Sequence, residues 1–249
     1  MSPVFGPMQR LLLSGAIDYA GMFPPARLPL EQAAANYTRY AAGENRWALG
    51  RFVVPAAEVE ELTNRVPVPP LAVVASGVED CGDAGVFVEL NPAAPDFESA
   101  ARQVAAAGKR AKLRTGGVRP EAIPSVELVV HFFATCARLN LGCKATAGLH
   151  HAVRGEYPLT YDADAPRAVM HGYLNVMLAA ALLFNGSSPA AAQAVLELED
   201  AAGLHFGENE IRWADQRWQR AMVADLRRQF LSFGSCSFEE PLQALAAFA

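Results

Sequence analysis

Two lysines raise the question of chemistry. The chain has 21 basic residues, and only three, Lys109, Lys112 and Lys144, are lysine. Arginine meets the ordinary need for surface cations. Lys112 sits in AKLRTGG and Lys144 in GCKATAGLHH, runs otherwise made of the small and apolar residues of buried strands. A lysine kept in such a place can do what arginine cannot: lose its proton and attack a carbonyl as an amine. If both lie on adjacent parallel strands, roughly 4.8 Å apart, and both point inward, each is expected to lower the pKa of the other. Desolvation would lower both. The plainer reading is a lysine ion-paired to Asp18 or Glu89 that fills space, since structural ion pairs also perturb pKa values.

Other chemistry-bearing residues collect at the ends of the same kind of run. Asp18, in DYAGMFPPA, and Glu89 can move protons or hold a lysine. Arg114 can clamp an anion with two parallel hydrogen bonds. Thr146, Gly116 and Gly117 offer a hydroxyl and close backbone approach. In GSCSFEEP (234–241), Ser235 and Ser237 precede a helix. Ser237-x-x-Glu240 fits a capping box, and the helix start suits a phosphate or carboxylate; a plain strand-to-helix turn also explains it. His150 can serve as a general acid or base. His150, His151 and His171 fall within 22 residues, and with Asp18 or Glu89 they form a conceivable metal set. Adjacent histidines on an extended strand point to opposite faces, so no metal is expected.

These residues need strands to carry them. The apolar runs at 15–23, 50–56, 71–76, 85–91, 110–117, 142–148 and 230–238 read as strands. GLHFGENEIRW is the candidate for a short additional strand, the seventh in order. Helical periodicity fills most intervals: 28–43, 57–66, 96–108, 126–140, 171–185, 187–200, 214–229 and 239–248. The interval GVEDCGDA (77–84) is too short and polar for a helix and reads as a link. Eight strand–helix alternations in 249 residues predict a (β/α)8 TIM barrel, a single domain over 1–249, with chemistry at the strand ends. The competitor is an open doubly wound sheet, but no GxGxxG turn follows the first strand.

Composition sets limits. Hydrophobic residues make up 52% and charged residues 19%, which predicts an ordered globular chain. A net charge of −5 without a basic block argues against a nucleic-acid partner. Four scattered cysteines, Cys81, Cys136, Cys143 and Cys236, fit reduced thiols in a cytoplasmic protein. The apolar runs are too short to span a membrane, and the N-terminus lacks a signal-peptide pattern. No cofactor is implied. Apolar helices such as LQALAAFA can pack between subunits of a homo-oligomer or against the barrel.

CKATAG and AKLRTGG resemble the strand ends of Schiff-base (class I) aldolases with TIM-barrel folds, of the deoxyribose-phosphate aldolase type. FGSCSF resembles the small last strand that binds phosphate in those enzymes. The likeness covers three short stretches. It departs from the family in placing the extra lysine on the fifth strand rather than the seventh. IDYAGMFPPA, TAGLHH and GSCSFEEP together also resemble a group of bacterial proteins. The resemblance implies a lyase acting on a small carbonyl compound, phosphorylated or not. Lys144 would form the imine, Lys112 would tune it, and Asp18, Glu89 or His150 would move protons. Arg114, Thr146, Gly116, Gly117, Ser235 and Ser237 would hold the substrate. Two other readings stay open: an imine-free isomerase or metal-assisted lyase, and a barrel that only binds small anions.

Overall fold

The computed structural model describes residues 4–65 and 69–248. Val66, the end of one predicted helix, and the outermost residues of the 1–249 span lie outside them. The chain begins with α1 (Pro7–Leu13), β1 (Ile17–Tyr19), α2 (Leu30–Ala42), β2 (Leu49–Pro55) and α3 (Val59–Arg65). Three strands follow with no α-helix between them: β3 (Leu71–Ala75), β4 (Val78–Asp80) and β5 (Val86–Glu89). Next come α4 (Phe97–Ala106), β6 (Arg110–Arg114), α5 (Val126–Arg138) and β7 (Cys143–Thr146). The rest comprises β8 (Gly155–Pro158), β9 (Arg167–Met170), α6 (Tyr173–Phe184), α7 (Pro189–Glu197), β10 (His205–Phe206), β11 (Glu210–Trp213), β12 (Gln216–Gln219), α8 (Arg220–Gln229), β13 (Phe230–Ser235) and α9 (Glu239–Ala246).

Eight strands close into a barrel in the order β1-β13-β7-β6-β5-β4-β3-β2. β4 runs antiparallel to both its neighbours, while the other neighbours pair in parallel. The cause of the reversal is local. Ala75 pairs with Val78, so only Ser76 and Gly77 turn the chain. Their φ angles are 46° and 78°, the doubly left-handed pair of a tight hairpin that suits strand twist. The polar link GVEDCGDA thus supplies a barrel strand. GLHFGENEIRW supplies none: β10 and β11 join β12 in a separate antiparallel sheet, and β13 pairs directly with β7.

Two apolar clusters divide the interior. A small one within the barrel joins Ala20, Val53, Ala72, Cys81 and Phe87. The large one fills the space between barrel and helices. α6 is buried on every side from Tyr173 to Leu183, which explains why its sequence shows no polar face. The indole N–H of Trp218, on β12, donates to the carbonyl of Leu178 at 2.9 Å and ties the accessory sheet to this helix. Among the described residues, no helix is long and apolar enough to cross a membrane.

Candidate active site

Strand register lines up the charges. Glu89 on β5 pairs with Lys112 on β6, and Lys112 pairs with Lys144 on β7. Neighbours in register face the same side of a sheet, so both lysines enter the barrel, as their spacing predicts. β4 adds Glu79 from across the interior, and β1 adds Asp18. Lys144 Nζ donates to Asp18 Oδ2 and to Glu79 Oε1, each at 2.5 Å, and lies 5.5 Å from the centre of the Phe87 ring. Lys144 and Asp18 are 1% and 0% exposed, and Glu79 is 2% exposed. The aspartate also accepts from the Ser232 hydroxyl at 2.6 Å and from the Arg51 amide at 2.8 Å. Only a glycine at position 50 admits it: a Cβ there would stand 2.3 Å from Asp18 Oδ1.

This arrangement reverses one expectation. Burial alone would lower the pKa of Lys144, but Asp18 and Glu79 outweigh it and raise the pKa above its ordinary 10.5. Lys144 is a fixed ammonium. The expected lowering by Lys112 fails because Glu79 stands between the two cations.

Lys112 is held more loosely. Its Nζ lies 3.3 Å from Glu89 Oε2 and 3.5 Å from Glu79 Oε2. Arg114 grips Glu89 through Nε at 3.0 Å and a terminal nitrogen at 3.3 Å. Burial pushes the Glu89 pKa up, but Arg114 and Lys112 more than offset this and hold it below the usual carboxylate range. Above the ion-pair network lies a cavity of about 210 Å³. Its polar lining includes Glu79, Lys112, Arg114, Thr146, His150 and Cys236, and its apolar lining includes Phe23, Val53 and Val74. Lys144 does not line it.

The glycine-rich loops shape this mouth. Gly116 packs against Gly148, whose Cα would lie 3.0 Å from a Cβ at position 116. Gly117 lines the cavity wall. Gly234 packs on Thr146, where a Cβ would come 2.9 Å from the hydroxyl oxygen.

His150 closes one side of the mouth. Its Nδ1 lies 3.1 Å from Ser235 Oγ and 3.3 Å from Glu240 Oε2, and both ring nitrogens are 3.8 Å from Cys236 Sγ. Burial opposes the charged ring, yet hydrogen bonds with Cys236 and Glu240 prevail and push the pKa up to about 9. His150 is therefore an imidazolium at neutral pH, an acid and anion partner rather than a base. His151 turns away and stacks on Tyr157 with ring centres 3.5 Å apart. Burial pushes its pKa down to about 4, helped by the charge on His150. His171 is buried, with Nε2 2.8 Å from the Pro124 carbonyl oxygen. The three histidines do not converge. Among the described residues, no group of three or more His, Cys, Asp or Glu is placed to hold a metal ion.

Asp18, Lys112, Lys144, Glu89, Arg114, Thr146, Gly117 and His150 thus gather in or beneath one cavity. Ser235 and Ser237 stand behind its wall with their hydroxyls engaged internally. Ser235 Oγ meets His150 and the Ser237 amide, and Ser237 Oγ accepts from the Glu240 amide at 3.2 Å. Half of the predicted capping box therefore forms, while the Glu240 side chain turns to His150. The sequence reading missed Glu79 and Cys236. The signal for Glu79 was charge balance: two inward lysines and Arg114 need a third carboxylate beside Asp18 and Glu89. Comparison of the chain with protein-family models, with curated proteins and with solved structures gives no match.

Proposed function

We propose that the barrel mouth is the active site of an aldolase-type lyase acting on a small anionic carbonyl compound, with Lys112 as the amine that meets the carbonyl. The barrel is then a variant of the (β/α)8 TIM barrel in which the β3–β4 hairpin replaces one strand–helix unit. One observation carries the reading: of the two inward lysines, Lys112 alone lines the cavity. Lys144 is assigned the part of a fixed cation that holds Asp18 and Glu79 in place.

The lining chemistry favours this assignment. Lys112, Arg114 and protonated His150 attract an anion, and a cavity of about 210 Å³ suits a small ligand. Glu79 is the one carboxylate among the described lining residues, and an ammonium occupies each of its oxygens. A neutral base is lacking there. Lys112 becomes a nucleophile by passing its proton to Glu79 or Glu89, each within 3.5 Å. The imine formed on Lys112 would then draw electrons from the neighbouring carbon–carbon bond. In this reading His150, which lines the same cavity, donates a proton to the departing oxygen or carbon.

The imine-free alternative has its own support: both lysines sit beside carboxylates as ammonium ions, which can polarise a carbonyl without bonding to it. A panel of short hydroxy- and keto-acids, with and without phosphate, tests the two. Turnover that survives in Lys112→Arg, which keeps the charge and loses the amine, supports polarisation. Turnover lost in Lys112→Arg supports the imine.

A further inference from the structure

We infer that Cys236 is a second nucleophile of the cavity, a thiol oriented by His150 and Glu240 and reactive toward small electrophiles that carry negative charge. Cys236 lines the same cavity as Lys112. His150 Nδ1 faces Glu240 Oε2 and Ser235 Oγ, at 3.3 and 3.1 Å, so Nε2 is the nitrogen left for the thiol, at 3.8 Å. A nucleophile, an imidazole beside it and a carboxylate orienting that imidazole form the arrangement that activates thiols. Tyr161, in the turn joining β8 and β9, adds a fourth group: its hydroxyl lies 3.4 Å from the sulfur and donates to Glu240 Oε1 at 2.9 Å.

The other cysteines lack these partners. Cys81 faces Glu79 at 3.8 Å, and burial pushes its pKa up to about 12. Cys136 and Cys143 are buried in the large apolar cluster. None of the three lines the cavity. Charge selects the reagent: Arg114 and Lys112 share the space with the thiol and draw anions toward it.

With an anionic aldehyde, the sulfur bonds to the carbonyl carbon and the π pair moves to oxygen. The His150 imidazolium gives its Nε2 proton to that oxygen and the thiol proton replaces it on the ring, giving a hemithioacetal that keeps the charge of the aldehyde's anionic group, with no other reactant. With a haloacetate probe, the sulfur–carbon bond forms as iodide leaves and the thiol proton goes to solvent.

The test compares iodoacetate with iodoacetamide, reagents of like size and different charge, with peptide mapping of the modified cysteine. The expected result is modification of Cys236 before the other cysteines, with iodoacetate at least about tenfold faster than iodoacetamide. His150→Asn and Glu240→Gln are expected to slow both reagents several-fold. The inference is overturned if Cys236 stays unmodified in the folded protein while the denatured chain reacts. It is also overturned if iodoacetamide reacts as fast as iodoacetate, or if neither variant changes the rate. The readout needs no substrate and no amine chemistry, so its failure leaves the role of Lys112 standing, and the converse holds.

Discussion

Replacing Lys144 with methionine keeps the length of the side chain and removes its charge. The structure sets the scale of the loss. At an effective dielectric of about 20, unit charges 2.5 Å apart attract by about 7 kcal/mol, and Lys144 makes two such contacts. Much of that is offset by the cost of burying the ammonium. What the variant leaves behind is unequal. Asp18 keeps the Ser232 hydroxyl and the Arg51 amide, but among the described residues Glu79 keeps only Lys112 at 3.5 Å and the Cys81 thiol at 3.8 Å. Breaking one side of a buried pair typically costs about 3–5 kcal/mol. In a chain of this size that lowers Tm by about 6–20 °C. Denaturant titration at pH 7 is expected to show a lower midpoint with an unchanged slope. The folded-state pKa of Lys144 is raised, so its contribution is fully present below 10.5 and fades as pH rises through the folded value. The gap between wild type and Lys144→Met should therefore hold steady from neutral pH to about 10 and narrow above it. A loss under 1 kcal/mol, or a gap that narrows between pH 7 and 9, would refute the assignment of Lys144 as a fixed cation.

His150 carries a second pH signature. Its folded pKa rises from 6.5 to about 9, worth about 3 kcal/mol at most. That stability is present below 6.5 and is lost as pH climbs through 9. Thermal melts of wild type and His150→Asn should converge over that window, and the His150 ring protons should titrate near 9 by NMR. Gly50→Ala forces a Cβ to 2.3 Å from Asp18 Oδ1 and 3.1 Å from two backbone oxygens. It should cost about 1–3 kcal/mol in chemical denaturation, with larger loss of any activity that depends on the ion-pair network.

The sequence made part of this site legible. Lys112, Lys144, Asp18 and Gly234 lie on strands whose small and β-branched residues announce burial, and their register then follows from adjacency. The helices were readable for the same reason, since their apolar faces repeat with helical period. β4 was not readable, because its pattern is inverted. Val78 points outward and is 38% exposed, while Glu79 points inward. A three-residue strand with its carboxylate inside cannot be told from a polar turn by hydrophobicity. The Ser76-Gly77 turn was the available clue. Once β4 completes the barrel, no further strand is needed between β7 and β13. GLHFGENEIRW instead pairs with the residues after it, burying Trp213 and Trp218 in the large apolar cluster. The reversed pKa expectation for Lys144 has the same origin, because without Glu79 the two lysines meet with nothing between them.

The central claim is that Lys112, and not Lys144, meets the carbonyl. Borohydride reduction of the protein in the presence of small aldehydes, ketones and 2-keto acids, read by intact mass and peptide mapping, tests it most directly. The account predicts one stable adduct, on Lys112, that disappears in Lys112→Arg. An adduct on Lys144 would contradict it.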